Sequence, residues 1–271
     1  MLFKVTKYHQ DLLRDFERLS VFFEAINEVY LKNEIIQNNS FDVAYDLGCG
    51  SGILSYFASK VARKVIAIDK DLNIIKKAEC NIKEQDNIEV IHDDILNHEF
   101  KDKADLIICE TLDTGLIDEE QALIINHALK YLKPNGIIIP NGIINVAEPI
   151  STNKPLEYVS YDDENNLNQE NKVQYNTLGK FIVYSEIDFY KKIDLKFKNR
   201  LTFKITMDGI LNCIKISTFT KLTADIICGS TQMLNPPILI PIKEQHVKKG
   251  DKINISLEYE LGGGLKTIKT Y

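Results

Sequence analysis

Asp46-Leu47-Gly48-Cys49-Gly50-Ser51-Gly52 follows an apolar run, Phe41 to Tyr45, that reads as a buried strand. Behind it comes Ile53-Leu54-Ser55-Tyr56-Phe57-Ala58, with apolar residues at helical spacing. Strand, glycine-rich turn and helix in that order let backbone approach a ligand closely, because glycine has no side chain in the way. The start of the helix adds free N–H groups. Several kinds of nucleotide enzyme share a G-x-G-x-G turn, so the turn alone selects none of them. The acid before the first glycine narrows the choice. A carboxylate at Asp46 would repel a pyrophosphate and welcome an ammonium group.

Asp46, Gly48, Gly50 and Gly52 together resemble motif I of the class I methyltransferases, D-x-G-x-G-x-G. The cofactor of that class, S-adenosylmethionine, has the ammonium, a cationic sulfonium and no phosphate. Further along, Lys64-Val65-Ile66-Ala67-Ile68-Asp69 is a strand ending in an acid, 23 residues past Asp46. Such enzymes place an acid at this distance on the ribose hydroxyls, and a carboxylate accepts two such hydrogen bonds. Residues 71–84 read as a helix, and Ile88 to Asp94 as a third strand and its exit. Asp94 or the backbone near Ile95 is placed to read the adenine edge, and the sequence leaves both open. A fourth strand, Ala104 to Cys109, ends at Glu110, on the carboxyl edge where open α/β sheets bind substrates. A helix over 119–131 stops at Leu132-Lys133-Pro134-Asn135-Gly136, and a strand from Ile137 to Pro140 follows. The expectation is a Rossmann-like α/β domain over residues 1–141, with two helices between residues 7 and 37.

Those first helices carry a second pattern. His9, Leu12, Leu13, Asp15 and Arg18 match H-x-x-(M/L)-L-x-D-x-x-R, and here the chain resembles the protein arginine methyltransferases. The resemblance gives Arg18 the carboxylate at the methionine end of the cofactor, which suits the bidentate fork of a guanidinium. That family also has a double-glutamate hairpin, S-E-W-M-G-Y with a second Glu nine residues after the first. Glu110 and Glu119 keep the interval, while the Trp, Met and Tyr are absent. Two carboxylates suit a guanidinium, which stays protonated and needs acceptors on both edges. A plainer reading has Asp118, Glu119 and Glu120 begin the next helix, where acids favour the dipole; the two readings are compatible. The family's T-H-W loop has a His that pairs with the N-terminal Asp. Its counterpart here is Thr231-Gln232-Met233, so Asp15 is kept as a catalytic candidate and the His is missing.

From residue 142 helical periodicity gives way to short alternating runs: Phe181 to Phe189, Asp194 to Thr206, Leu211 to Thr220, Ile238 to Ile242 and Ile253 to Tyr259. These read as strands of an all-β, barrel-like domain over residues 142–271, where the family appends a β-barrel for its substrate. Residues 151–180 are polar and Asn-rich, in the place of the family's helical dimerisation arm, and do not look like a helical hairpin. The family's dimer, and the oligomeric state, are therefore left open. Asn235-Pro236-Pro237 imitates the N-P-P-(Y/F/W) of amino-methylating enzymes that act on nucleic acid, but it lies far from the fourth strand and reads as an extended turn.

The chain has 271 residues, 44% of them hydrophobic, and a net charge of -6. That charge weighs against a nucleic acid held on a broad basic surface. Five cysteines without C-x-x-C spacing read as buried thiols of a reducing cytoplasm. Met1 to Arg18 shows no signal-peptide apolar stretch, no run is long enough to span a membrane, and no metal-ligand pattern appears. The resemblance implies an S-adenosylmethionine-dependent N-methyltransferase acting on a guanidinium nitrogen of a protein arginine. The alternatives are an RNA or small-amine methyltransferase on the same fold, and a non-catalytic cofactor-binding partner subunit.

Overall fold

The computed structural model describes residues 4–37, 40–153 and 174–271. Helices α1 (Lys7–Arg14) and α2 (Phe16–Gln37) come first. The strands and helices β1 (Phe41–Leu47), α3 (Ile53–Ala58), β2 (Ala62–Asp69), α4 (Leu72–Ile82), β3 (Ile88–His92), β4 (Ala104–Cys109), α5 (Gln121–Ala128) and β5 (Leu132–Ile139) follow. The five strands form one sheet in the order β3-β2-β1-β4-β5, parallel at every pairing. Helices pack on it: α3 against β1 and β2, α4 against β2 and β3, α5 against β4 and α2 against β5. This is why β1 and β4 read as continuous apolar runs, since strands covered by helices need no polar face.

The order reverses at β1. The chain steps from β1 to β2 and β3, then returns to place β4 on the other side of β1, where Leu47 pairs with Cys109. The loops leaving β1 and β4 therefore diverge from neighbouring strand ends, and a crevice opens between them. The motif I glycines and Glu110 are on those two loops.

Several boundaries differ from the sequence reading; the strand that starts at Ile238, for one, runs on from Ile242 to Val247. Strand β5 begins at Leu132 instead of Ile137, because Leu132 pairs with Ala104 and Ile137 with Leu106. The intervening residues bulge, and Pro134 is tolerated because β5 is an edge strand. The helix expected over 119–131 is α5 followed by a 3-10 turn at Leu129–Tyr131, since Glu119 belongs to the preceding loop. Strand β6 (Gly142–Thr152) was not expected at all. It pairs with β8 (Ile182–Asp188) on one side and β10 (Gly209–Lys221) on the other, so it is nearly all buried and shows no alternation.

The expected β-rich second half is present as two antiparallel sheets. Strands β6, β7 (Tyr175–Thr177), β8, β10, β11 (Ile227–Cys228) and β12 (Ile238–Val247) make one; β9 (Lys196–Lys204), β13 (Lys252–Glu260) and β14 (Lys269–Thr270) make the other. Among the described residues the pairings do not close these sheets into a barrel. Residues 154–173, most of the polar stretch at the place of the family's arm, lie outside the described residues. One apolar core runs through both halves: Leu116 and Ile117 from the loop after β4 are fully buried in it with Tyr184, Phe203 and Tyr259. Burying two such aliphatic side chains is worth about 1.5–3 kcal/mol each, enough to fasten that loop between the halves. No helix among the described residues is long and apolar enough to cross a membrane.

Candidate active site

The crevice at the strand ends is a cavity open to solvent. Its walls are the motif I turn, the ends of β2, β3 and β4, the start of α5, helix α1 and Met233. Within the turn, Gly48 and Gly50 have φ of +81° and +53°, the left-handed region that glycine enters without strain. A Cβ on Gly48 would lie 2.6 Å from the Thr111 methyl, and one on Gly50 would lie 3.2 Å from the His9 ring. The turn is thus a cradle that any side chain would fill. Its amides at Gly48 and Cys49 donate to the Ile68 carbonyl at 2.9 and 3.0 Å, which ties it to β2.

Asp69, Asp94 and Ile95 all line the cavity. Asp69 accepts from the Gly50 amide at 3.0 Å and from the Asp71 amide at 3.0 Å, leaving lone pairs on both oxygens for a diol. Asp94 is more committed: its two oxygens accept from the Leu96 amide and the Asn97 side chain at 3.0 and 2.9 Å. Two motif residues are off the wall. Gly52 faces Ala78 and Ile82 of α4, so its role is close helix packing. Asp46 is 1% exposed and accepts from the Ser55 hydroxyl, so it stands behind the turn and not on the cavity wall. Burial raises its carboxyl to about 7, against the smaller lowering effect of Ser55.

Glu110, Glu119 and Arg18 all line the cavity. The Arg18 guanidinium donates through Nε to Glu110 Oε1 at 3.1 Å and through Nη2 to Glu110 Oε2, a bidentate pair. Both side chains are nearly buried, at 4% and 11% exposed. The sequence assigned one to the cofactor and the other to the substrate, and the structure pairs them with each other. Burial opposes the guanidinium charge, but Glu110 more than offsets this and holds the Arg18 pKa above its ordinary value. Gln121, which sequence reasoning passed over, braces Glu110 from behind: its amide donates to the Cys109 carbonyl at 2.8 Å and accepts from the Thr111 amide at 2.9 Å. Glu119 shares the cavity, and its carboxyl is pushed up by burial and by neighbouring acids, Glu110 among them. Glu120 also lines it and pairs with Lys70 at 2.7 Å.

Asp15 is elsewhere. It is 5% exposed and off the cavity wall, with Oδ1 accepting from the Arg18 amide at 3.0 Å. Its Oδ2 accepts from the Thr231 hydroxyl and from the Met233 amide at 2.8 Å. With both oxygens used, it is a strut between the start of α2 and the 231–233 loop. Asn235-Pro236-Pro237 leads directly into β12 at Ile238, but Asn235 is left-handed at φ +51° where an extended turn was expected, and its side chain donates to the Thr220 hydroxyl at 2.7 Å. No metal-holding group of side chains occurs among the described residues.

Comparison with known proteins gives this geometry a lineage. The methyltransferase-domain family model matches residues 44–136. A Methanothermobacter thermautotrophicus protein of uncharacterized function is 41% identical over 271 residues, spanning 99% of this chain and 98% of its own length. The chain belongs to the same family as that archaeal protein. It is a class I, S-adenosylmethionine-dependent methyltransferase. The histone-arginine methyltransferase CARMER of Drosophila persimilis is 34% identical over 145 residues, covering 51% of this methyltransferase and 26% of CARMER. A chain of the Trypanosoma brucei PRMT1 enzyme–prozyme heterotetrameric complex with AdoHcy superposes with a TM-score of 0.76, covering 98% of this methyltransferase and 96% of that chain. At 17% identity that likeness is one of fold. It extends through the β-rich half, so the resemblance to arginine methyltransferases holds for the whole architecture.

Proposed function

We propose that this methyltransferase acts on a guanidinium nitrogen, with a protein arginine as substrate. The observation that carries the reading is the pairing of Glu110 and Glu119 on one cavity wall beside the cofactor turn. Residues 1–141 then hold the cofactor, and residues 142–271 complete the substrate side.

The site suits S-adenosylmethionine. The glycine cradle admits a ligand against bare backbone, Asp69 offers free lone pairs to ribose hydroxyls, and Arg18 offers a fork to a carboxylate. Asp94 and Ile95 remain the pair at the adenine end. Bound there, the cofactor supplies an electrophilic methyl group on its sulfonium. The protein's own part is binding and orientation. Arg18 and Glu110 exchange partners: a ligand carboxylate takes the Arg18 fork, and Glu110 is released to accept from an incoming guanidinium. Glu119 accepts from the other edge and can take the proton that the attacking nitrogen sheds as the N–C bond forms, the S–C bond breaks and S-adenosylhomocysteine leaves. Fixing that planar cation turns a bimolecular displacement into an oriented one, and two carboxylates localise its charge away from the nitrogen that attacks. Asp15 has no proton-transfer role in this scheme.

The hairpin has Thr111, Leu112 and Thr114 where the family motif has aromatics and Met, which keeps an RNA or a small amine as the second reading. One experiment separates them. The protein and methyl-labelled cofactor are incubated with a host-cell extract, and the extract is treated with protease or ribonuclease before the label is located. Label lost to protease and recovered as methylarginine supports the proposal. Label released by ribonuclease, or found on a small molecule, overturns it.

A further inference from the structure

Glu110 is held by Arg18 and by the Gln121 brace, but nothing comparable holds the Glu119 side chain. Among the described residues its carboxylate makes no hydrogen bond or ion pair, so its place is set by its backbone. That backbone is a wound loop with two successive left-handed residues, Gly115 at φ +75° and Leu116 at φ +56°. A non-glycine residue in that region is uncommon and is kept only when surrounding contacts impose it. The amides of the loop show what imposes it. Gly115 donates to the Thr218 hydroxyl at 2.8 Å, and Leu116 to the Asp113 carbonyl at 3.1 Å. The next three converge on one side chain: Ile117 and Asp118 donate to Asp113 Oδ2 at 3.0 and 2.8 Å, and Glu119 donates to Asp113 Oδ1 at 3.2 Å.

We propose that Asp113 is the positioning residue for Glu119: by gathering three consecutive amides it sets the turn that keeps the second glutamate on the cavity wall with Glu110. The inference rests on the double-glutamate reading of the site. A convergent row of N–H groups is a concavity for a carboxylate, and here the chain supplies the acceptor itself: Asp113 is 8% exposed, and burial raises its carboxyl to about 7 against the lowering effect of these three amides. Only an acidic side chain suits it. Asparagine keeps one acceptor but turns an NH2 group toward an N–H donor, leaving at least one buried amide unsatisfied. Counted from Glu110, the glycine of S-E-W-M-G-Y falls on Asp113, and Gly115 is two residues further on. The carboxylate thus stands where the motif has no side chain, in a hairpin that has lost the aromatics.

The test compares wild type, Asp113→Asn, Glu119→Gln and the double variant. Amide hydrogen exchange is followed at residues 117–119 and, as a reference for the whole fold, at Leu106–Cys109 of β4. Methyl transfer to an arginine peptide and the calorimetric Kd for S-adenosylhomocysteine are measured beside it. In Asp113→Asn, exchange at 117–119 should rise about tenfold or more while the β4 amides keep theirs. Its kcat should fall about tenfold to hundredfold, with the cofactor Kd unchanged. Adding Asp113→Asn to Glu119→Gln should cost nothing further, because one acts through the other. Unchanged exchange at 117–119, an equal rise in β4, or fully additive losses would each overturn the proposal. A wild type that transfers no methyl to arginine would sink the substrate reading, and the exchange measurement would still decide the role of Asp113.

Discussion

Glu110→Gln perturbs the pair on which the site turns. From sequence alone the change should spare the fold and the cofactor and remove only catalysis. The structure alters that expectation, because Glu110 is the bidentate partner of a guanidinium that is 4% exposed. Breaking a buried pair by removing one partner costs about 3–5 kcal/mol. Glutamine keeps one acceptor oxygen for Arg18 Nε, so we expect a cost below that scale, about 2–3 kcal/mol. The same geometry predicts a compensating effect on cofactor binding. In wild type a ligand carboxylate must take the Arg18 fork from Glu110; in the variant the fork is already half free. S-adenosylhomocysteine should therefore bind Glu110→Gln at least as tightly as wild type, and saturating ligand should restore more stability to the variant. Urea denaturation with and without ligand, together with calorimetry, measures both quantities. An unfolding free energy within about 0.5 kcal/mol of wild type would show that the pair contributes little. Ligand binding weakened tenfold in Glu110→Gln would show that Glu110 itself holds the cofactor, and the partner exchange would be refuted.

Arg18→Ala should weaken S-adenosylhomocysteine binding about tenfold to hundredfold, the worth of a charged hydrogen-bond partner of about 1.5–3 kcal/mol; a normal Kd by calorimetry would contradict its placement at the carboxylate. Gly48→Ala sets a Cβ 2.6 Å from the Thr111 methyl at φ +81°, so thermal unfolding should show a loss of about 1–3 kcal/mol, partly recovered by Thr111→Ser. Asp46, with its carboxyl raised to about 7 by burial, binds a proton in the folded chain that the unfolded chain has already lost. Its contribution to stability is therefore full below the ordinary carboxylate range and falls as pH rises toward 7; Asp46→Asn should flatten that part of the melting-temperature profile. Glu119→Gln should remove most methyl transfer, whereas Glu120→Gln loses an exposed pair with Lys70 worth about 0–1 kcal/mol and should keep most of it.

Local chemistry made much of this protein legible in its sequence. Gly48, Gly50 and Asp69 carry their meaning in residue type and spacing: a left-handed turn needs glycine, and an acid at a strand end meets whatever binds there. The parallel strands were readable because burial by helices leaves continuous apolar runs. The interval from Glu110 to Glu119 placed both on one wall for the same kind of reason, since each leaves or returns to the carboxyl edge of the sheet. Contacts between distant segments were not readable. Nothing local in Asp15 says that it accepts from Thr231 and Met233, or in Arg18 that it pairs with Glu110. Nor does anything local in Asp46 say that it is 1% exposed and held by the Ser55 hydroxyl. Strand β6 hid for a related reason: paired on both sides and buried, it has no polar face to give it a period. The sequence determined which backbone shapes and charges were available at the strand ends. The tertiary structure decided which charges meet, because pairing of buried groups depends on distances that residue order does not encode.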